Sequence, residues 1–179
     1  MGTVYIFRGK AAVGKTTLSN MLAVKLSIPV IRKDDVVDAL KTTNGIDKSL
    51  INNEVYYNIL HKLIQTNLDL GTDLILDLAL GDRKNAKCFF DRLDFRNNNV
   101  LWFFITCSDV NEWERRHMKR LKKPKPNQTF DSFSSVIEHY KNADLNPFEY
   151  EHVIDSVDKL EKCFETITQI AEINRIKQE

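Results

Sequence analysis

The feature that most constrains this chain is a glycine-bounded loop close to its start. Residues 9–16 read GKAAVGKT and fit G-x-x-x-x-G-K-[ST], a motif whose backbone amides surround phosphate groups. Residues 4–7 supply the β-branched and aromatic run of a buried strand before the loop, and residues 18–26 the amphipathic helix after it. An ordinary glycine-containing turn is the alternative, but the rarity of the motif and its correct flanks favour a nucleoside-triphosphate site.

Each part of this loop has a physical task. Gly9 and Gly14 let the backbone turn its N–H groups inward, and the helix N-terminus adds partial positive charge. We expect Lys15 to contact the β- and γ-phosphates of ATP and to be catalytic, and the Thr16 hydroxyl to bind Mg²⁺. The residues expected to bind ATP are Gly9, Lys10, Ala11, Ala12, Val13, Gly14, Lys15, Thr16 and Thr17.

Length and composition favour one domain over residues 1–179, since 42% of the residues are hydrophobic and 28% are charged. A net charge of +1 gives no general attraction to nucleic acid or membranes, so such a partner would need a local patch. The three cysteines are widely spaced, and no apolar run approaches the roughly 18 residues that span a bilayer. With no signal-peptide pattern, these features predict a reduced, cytoplasmic protein without membrane association.

Strand and helix patterns alternate after the loop. Apolar runs predict further strands at 28–31, 73–80, 100–105 and 153–154. Helical patterns predict a helix that begins at 36–40 and is broken at 44–45, and further helices at 49–70, 83–95, 109–122, from 131 and from 158. This alternation predicts right-handed crossovers and a doubly wound parallel sheet of about five strands, with helices on both faces. The ligand of such a sheet lies beyond the carboxyl ends of the strands.

Carboxylates stand where two of these strands end. Asp34 and Asp35 follow the second strand, and either could orient an acceptor hydroxyl and take its proton. Both are also good helix N-caps, so one could cap while the other faces the cleft. Asp77 interrupts the third strand, where a buried charge would need Mg²⁺, a water ligand or the loop hydroxyls; the alternative is a turn cap beyond the sheet edge.

A basic segment follows the fourth strand. Residues 115–125 contain lysine and arginine but no acid, and the prolines beyond them make residues 115–131 a candidate mobile lid. Arg116 and Arg120 share a helix face and could stabilise the transferring phosphate as catalytic residues. The alternatives are a solvated helix end and a nucleic-acid backbone patch. Arg83 could bind phosphate or substrate, or lie on the surface.

Taken together, the segments GKAAVGKTT, IRKDD, LILDLAL and ERRHMKR resemble the AAA-type P-loop kinase domains of polynucleotide 5′-kinases, zeta toxins and chloramphenicol phosphotransferase. Their order and spacing are similar from residue 4 to about 140. The resemblance implies that Asp34 is the general base, that Asp77 is the strand-three aspartate, and that Arg116 and Arg120 are the lid pair.

One departure from that group concerns the acceptor. Polynucleotide kinases have an arginine three residues after the base to hold the substrate's phosphate, and Val37 occupies this position here. Because Asp35 and Asp38 lie nearby, we expect a neutral hydroxylated or cationic small molecule rather than a polyanion, with Asp35 and Arg83 as acceptor contacts.

We therefore expect an ATP- and Mg²⁺-dependent kinase that phosphorylates a hydroxyl of a small molecule. A polynucleotide 5′-hydroxyl kinase is the first alternative, which the basic lid favours and Val37 disfavours. A nucleotide-binding switch or interaction module without a small-molecule acceptor is the second. Against a GTPase switch, TCSD at residues 106–109 stands where an N-K-x-D guanine-recognition run would be expected.

Overall fold

The computed structural model describes residues 1–176, apart from the side chain of Leu50, and is built on a parallel five-stranded sheet. The strands are β1 (Thr3–Arg8), β2 (Val30–Arg32), β3 (Leu74–Asp77), β4 (Asn99–Thr106) and β5 (His152–Asp155). They lie in the order β2-β3-β1-β4-β5, and every paired neighbour is parallel. The predicted doubly wound α/β fold is confirmed.

Seven α-helices connect and flank these strands within residues 1–176. They are α1 (Lys15–Leu26), α2 (Lys33–Thr42), α3 (Asn53–Leu70), α4 (Arg83–Phe90), α5 (Val110–Leu121), α6 (Phe133–Tyr140) and α7 (Leu160–Ile176). None of the helices in this part of the chain is both long and apolar enough to cross a membrane.

The sheet has an apolar core on each face because strand side chains alternate in direction. Tyr5 and Phe7 of β1 lie in a cluster with residues of α1, α5, α6 and α7. Val4 and Ile6 lie in a second cluster with residues of α3 and α4. All four side chains are fully buried, which explains why β1 reads as a continuous apolar run.

Several boundaries differ from the sequence prediction. Helix α2 begins at Lys33, so Asp34 and Asp35 lie in its first turn, where carboxylates interact favourably with the helix dipole, and neither is the N-cap. Strand β3 ends at Asp77 rather than at residue 80. Gly71 does end α3, with a positive φ of 63° that suits glycine.

Candidate active site

The glycine-bounded loop connects β1 to α1 in a conformation that requires its glycines. Gly9 has φ 141° and Gly14 has φ 102°, which L side chains rarely adopt. A Cβ atom on Gly9 would also lie 2.1 Å from the backbone oxygen of Ile105. Helix α1 begins at Lys15, so the helix N-terminus faces the same space as the loop.

Two aromatic side chains hold the middle of this loop. The amide N–H of Ala11 donates to Tyr140 Oη at 3.0 Å, and Trp113 Nε1 donates to the Ala11 oxygen at 2.8 Å. Lys10 Nζ lies 3.6 Å from the Trp113 ring centroid. Trp113 is buried in the core, and its indole N–H also fixes the loop. Nothing in the local sequence pattern indicates these long-range contacts.

Lys15 lies inside the site rather than on its rim. Its side chain is buried, and Nζ donates to the Lys10 oxygen at 2.6 Å. Burial lowers the pKa of Lys15, whereas the charges of Asp77 and Asp34 act to raise it. The predicted base, the predicted metal ligand and the loop lysine thus belong to one electrostatic cluster.

Asp77 contacts the loop directly. Its Oδ2 accepts hydrogen bonds from Thr16 Oγ1 at 2.7 Å and Ser19 Oγ at 3.4 Å, and Arg32 Nε lies 3.1 Å away. The alternative of a turn cap beyond the sheet does not describe this residue, which is buried and paired in register with Phe7. Hard oxygen donors such as the Thr16 hydroxyl and the Asp77 carboxylate fit Mg²⁺, whose other ligands would be phosphate and water. Their assignment as metal ligands stays a prediction.

The two adjacent aspartates of α2 point to different places. Asp34 borders the central cavity, and its Oδ2 lies 3.6 Å from Arg120 Nη2. Asp35 is 65% exposed, pairs with Arg32 at 3.1 Å and does not border the cavity. The geometry therefore brings Asp34 and Arg120 together, as the sequence predicts, but gives Asp35 no contact with the site.

Arg116 borders the cavity but is fixed to its wall. Nη1 and Nη2 donate to Ser156 Oγ and to the Ser156 oxygen at 2.7 and 2.6 Å, and Nε donates to Glu112 Oε1 at 2.7 Å. Hydrogen bonds from Arg115 and Arg116 lower the pKa of Glu112 to about 2. This acid stands three residues before the acid-free segment, and its side chain pairs with two of that segment's arginines.

Arg83 lies elsewhere. Its guanidinium carbon lies 5.0 Å from the Phe148 ring centroid, in a separate depression that also involves Trp102 and Tyr150. It does not border the central cavity. Arg83 therefore occupies the surface position that the sequence left as its alternative.

The central cavity has a volume of about 860 Å³. It is bordered by the glycine-bounded loop, one face of α2 from its first turn to its last, residues 127–130 and the segment after β5. The predicted site residues that line it include Lys15, Asp34, Asp77, Arg116 and Arg120. This volume lies in the range of ordinary small-molecule sites.

Arg8 is a supporting residue that sequence reasoning missed. It is fully buried between the Phe104 and Phe148 rings, and its Nη2 donates to Glu151 Oε2 at 2.8 Å. Nη1 donates to the oxygen of Gly81, whose own Cα packs so closely on the loop that an added Cβ would lie 3.3 Å from Lys10 N. The buried ion pair thus fixes the segment beneath the loop.

Comparison with solved structures gives proteins of the same fold at low identity. A sugar kinase from Janibacter sp. HTCC2649 is 16% identical, with a TM-score of 0.63 over 97% of this chain and 96% of that one. Kti12 from Chaetomium thermophilum, in complex with ADP-AlF3, is 11% identical, with a TM-score of 0.68 over 94% and 97%. A gluconokinase from Sinorhizobium meliloti 1021 is 12% identical, with a TM-score of 0.61 over 99% and 98%.

These likenesses show the fold, a parallel α/β sheet with helices on both faces. No curated protein matches the sequence. A family description does match, and it covers residues 4–140, from β1 through the lid and α6. The chain belongs to the AAA_33 family of AAA domains.

Proposed function

We propose that the protein is an ATP- and Mg²⁺-dependent kinase that transfers the γ-phosphate of ATP to a hydroxyl group of a small molecule. The observation that carries the proposal is the shared cavity onto which Lys15, Asp77, Asp34 and Arg120 all open. A phosphate-binding loop alone would serve any nucleotide-binding protein. A carboxylate and an arginine beside it, 3.6 Å apart, provide what phosphoryl transfer to an alcohol additionally needs.

In the proposed reaction the loop amides and Lys15 bind the β- and γ-phosphates. Asp34 accepts the proton of the acceptor hydroxyl while the oxygen of that hydroxyl bonds to the γ-phosphorus. The bond between the γ-phosphorus and the oxygen that bridges it to the β-phosphate breaks, and ADP leaves with that oxygen. Arg120 is close enough to Asp34 to neutralise charge on the transferring group. Mg²⁺, held by Thr16 and Asp77, would supply further charge neutralisation at the phosphates.

The role of Arg116 differs from the predicted pair action with Arg120. Because its three nitrogens are already bound to Glu112 and Ser156, we expect it to shape the nucleotide end of the cavity and to add positive potential there. Arg120 makes a longer contact with Asp34 and a 3.3 Å hydrogen bond to Asn127 of the lid. It is therefore the arginine that we assign to the transferring phosphate.

The test is direct. The protein is incubated with Mg²⁺, ATP and pooled hydroxylated metabolites or 5′-hydroxyl oligonucleotides, and phosphorylated products are identified by mass spectrometry. We expect a phosphorylated small molecule with the wild type and none with Lys15→Ala, whereas Lys25→Ala, a half-exposed lysine on α1, should behave as the wild type. Phosphorylated oligonucleotides alone would indicate a polynucleotide kinase, and ATP binding without transfer would indicate a switch.

We also infer a reducing, cytoplasmic location, because Cys88, Cys107 and Cys163 are all free thiols. Burial raises the pKa of the Cys107 and Cys163 thiols, which makes them unreactive. Cells are lysed directly into denaturant that contains an alkylating reagent, so that buried thiols also react, and mass spectrometry should find three reduced cysteines. A disulfide in that experiment would contradict the inference.

A further inference from the structure

We propose that the hydroxylated acceptor also carries an anionic group, a carboxylate or a phosphate ester, and that Lys33 and Lys41 of α2 bind it. The proposal rests on the kinase function proposed above and names the chemical class of its acceptor. It reverses the neutral or cationic acceptor that the sequence predicts from Asp35 and Asp38.

The first argument is which residues of α2 face the cavity. Lys33, Val37 and Lys41 recur every four residues, so they share one helix face, and all three border the cavity with Asp34. Asp35 and Asp38 do not border it. Asp35 pairs with Arg32, and Asp38 Oδ2 accepts from Asn127 Nδ2 at 3.3 Å. The helix therefore presents two cations and a single carboxylate to the acceptor.

The second argument concerns compensation of charge. Among residues 1–176, neither Lys33 nor Lys41 forms an ion pair with a carboxylate. Lys33 Nζ donates to Tyr57 Oη at 3.3 Å, between two tyrosine rings, and Lys41 Nζ donates to the Pro126 oxygen at 3.2 Å. An ammonium has three donors, so each keeps donors for a ligand. Both lysines are partly buried, and a partly desolvated cation is stabilised by an anionic partner.

The neighbouring cations of the cavity differ in this respect. Arg116 is paired with Glu112, and Arg120 lies beside Asp34. Carboxylates of the protein thus balance the charge of both arginines. This agrees with the roles proposed above, in which Arg120 contacts the phosphate during its transfer and Arg116 forms part of the cavity wall. The positive charge left for an acceptor is that of Lys33 and Lys41.

The third argument is the lining between these charges. Between α2, α3 and residues 127–130 the lining includes the neutral hydrogen-bonding side chains of Asn53, Tyr56, Asn127, Gln128 and Thr129, together with the apolar side chains of Ile51 and Phe130. Amides and hydroxyls of this kind bind the hydroxyl groups of a ligand. The acceptor is accordingly a small polyhydroxylated acid or phosphate ester, with its reacting hydroxyl at Asp34.

The experiment compares two equimolar acceptor pools with Mg²⁺ and ATP. One contains hydroxylated carboxylates such as D-gluconate and phosphate esters such as glycerol 2-phosphate, and the other their neutral counterparts, such as D-glucitol and glycerol, with amino alcohols. We expect products from the acidic pool, and the product identified separates a carboxylate from a phosphate ester. Products only from the neutral pool would overturn the proposal.

Variants make the result specific to the lysines. Lys33→Met and Lys41→Met should each lower kcat/KM for the acidic acceptor by about tenfold or more, the usual loss for a charged hydrogen bond, while leaving ATP affinity unchanged. Lys62→Met, an exposed lysine of α3 outside the cavity, is the matched control. Unchanged transfer in both Lys33→Met and Lys41→Met would contradict the proposal.

A binding measurement separates this proposal from the kinase proposal. If no pool yields a product, the kinase function fails, and the acidic pool is then tested as a ligand of the protein saturated with Mg²⁺ and ADP. An increase in Tm with the acidic pool that is reduced in Lys33→Met or Lys41→Met would still support an anion subsite. The absence of such an increase, or an equal increase with the neutral pool, would overturn it.

Discussion

The Thr16 hydroxyl donates a 2.7 Å hydrogen bond to Asp77 Oδ2, although 61 positions separate the two residues in sequence. The parallel pairing of β1 with β3 explains the contact, because Asp77 is in register with Phe7 and the loop begins two residues after Phe7. Arg32, at the end of β2, balances the buried carboxylate. The carboxyl ends of three neighbouring strands thus meet at one position beside the glycine-bounded loop.

Asp77→Asn should weaken the response to Mg²⁺. The neutral amide oxygen is a poorer ligand for a hard cation, and the change also disturbs Thr16, so we expect the Mg²⁺ concentration for half-maximal activity to rise by about 10–100-fold. Activity is measured against Mg²⁺ concentration, with EDTA as the zero point. Ser19→Ala, which removes the longer 3.4 Å contact to the same carboxylate, is the control and should have a small effect.

Asp34→Asn should lower kcat by about 10²–10⁴ and leave ATP affinity nearly unchanged, since a general base contributes to the chemical step and not to nucleotide binding. Asp35→Asn is the matched control because it makes the same change one residue along α2, outside the cavity. Single-turnover kinetics and ATP titrations measure the two quantities. A larger loss in Asp35→Asn would mean that the base has been misassigned.

Arg8→Met should destabilise the protein by about 3–5 kcal/mol, because it leaves the Glu151 carboxylate buried without its partner. Denaturant unfolding gives the free energy. The double variant Arg8→Met/Glu151→Met should recover part of the loss, since the unpaired charge is then absent. Arg175→Met, which breaks a half-exposed pair with Asp73, should cost no more than about 1 kcal/mol. Equal losses at the two sites would contradict the buried-pair argument.

Glu112→Gln should destabilise the protein near neutral pH but not at low pH. The pKa of Glu112 is lowered from 4.5 to about 2 in the folded state, so its stabilising effect is complete above about 4.5 and is lost as the pH falls towards 2. The difference in unfolding free energy between wild type and variant is measured from pH 7 to 2. A difference that stays the same across this pH range would contradict the prediction.

Much of the fold could be predicted from local pattern. β1 is apolar from Val4 to Phe7 and α3 ends at a glycine with positive φ, and both signals lie within a few residues of the element they define. The start of α2 was harder to predict, because a helix whose N-cap is Arg32 gives none of the usual capping signals. Adjacent residues on a helix lie about 100° apart, so the directions of Asp34 and Asp35 depend on that boundary.

The candidate site was predictable where it depends on motif and strand end, as for Lys15, Thr16, Asp34 and Asp77. It was not predictable where it depends on distant contacts. Arg8 and Glu151 are 143 residues apart, and no spacing rule connects them. Which charges of α2 face the cavity could not be predicted from proximity in sequence, because Asp38 contacts Asn127 whereas Lys41 borders the cavity.

The contacts of Ala11 have a consequence for how this site could open and close. Trp113 belongs to α5 and Tyr140 to α6, the helices on either side of residues 122–132, and both bind Ala11 of the glycine-bounded loop. If the cavity opened by a tilt of α5 or α6 as a whole, the hydrogen bonds to Ala11 would break or the glycine-bounded loop would move. We therefore expect the cavity to open by bending of the chain between residues 122 and 132. Such bending would leave the contacts of Trp113 and Tyr140 with Ala11 in place.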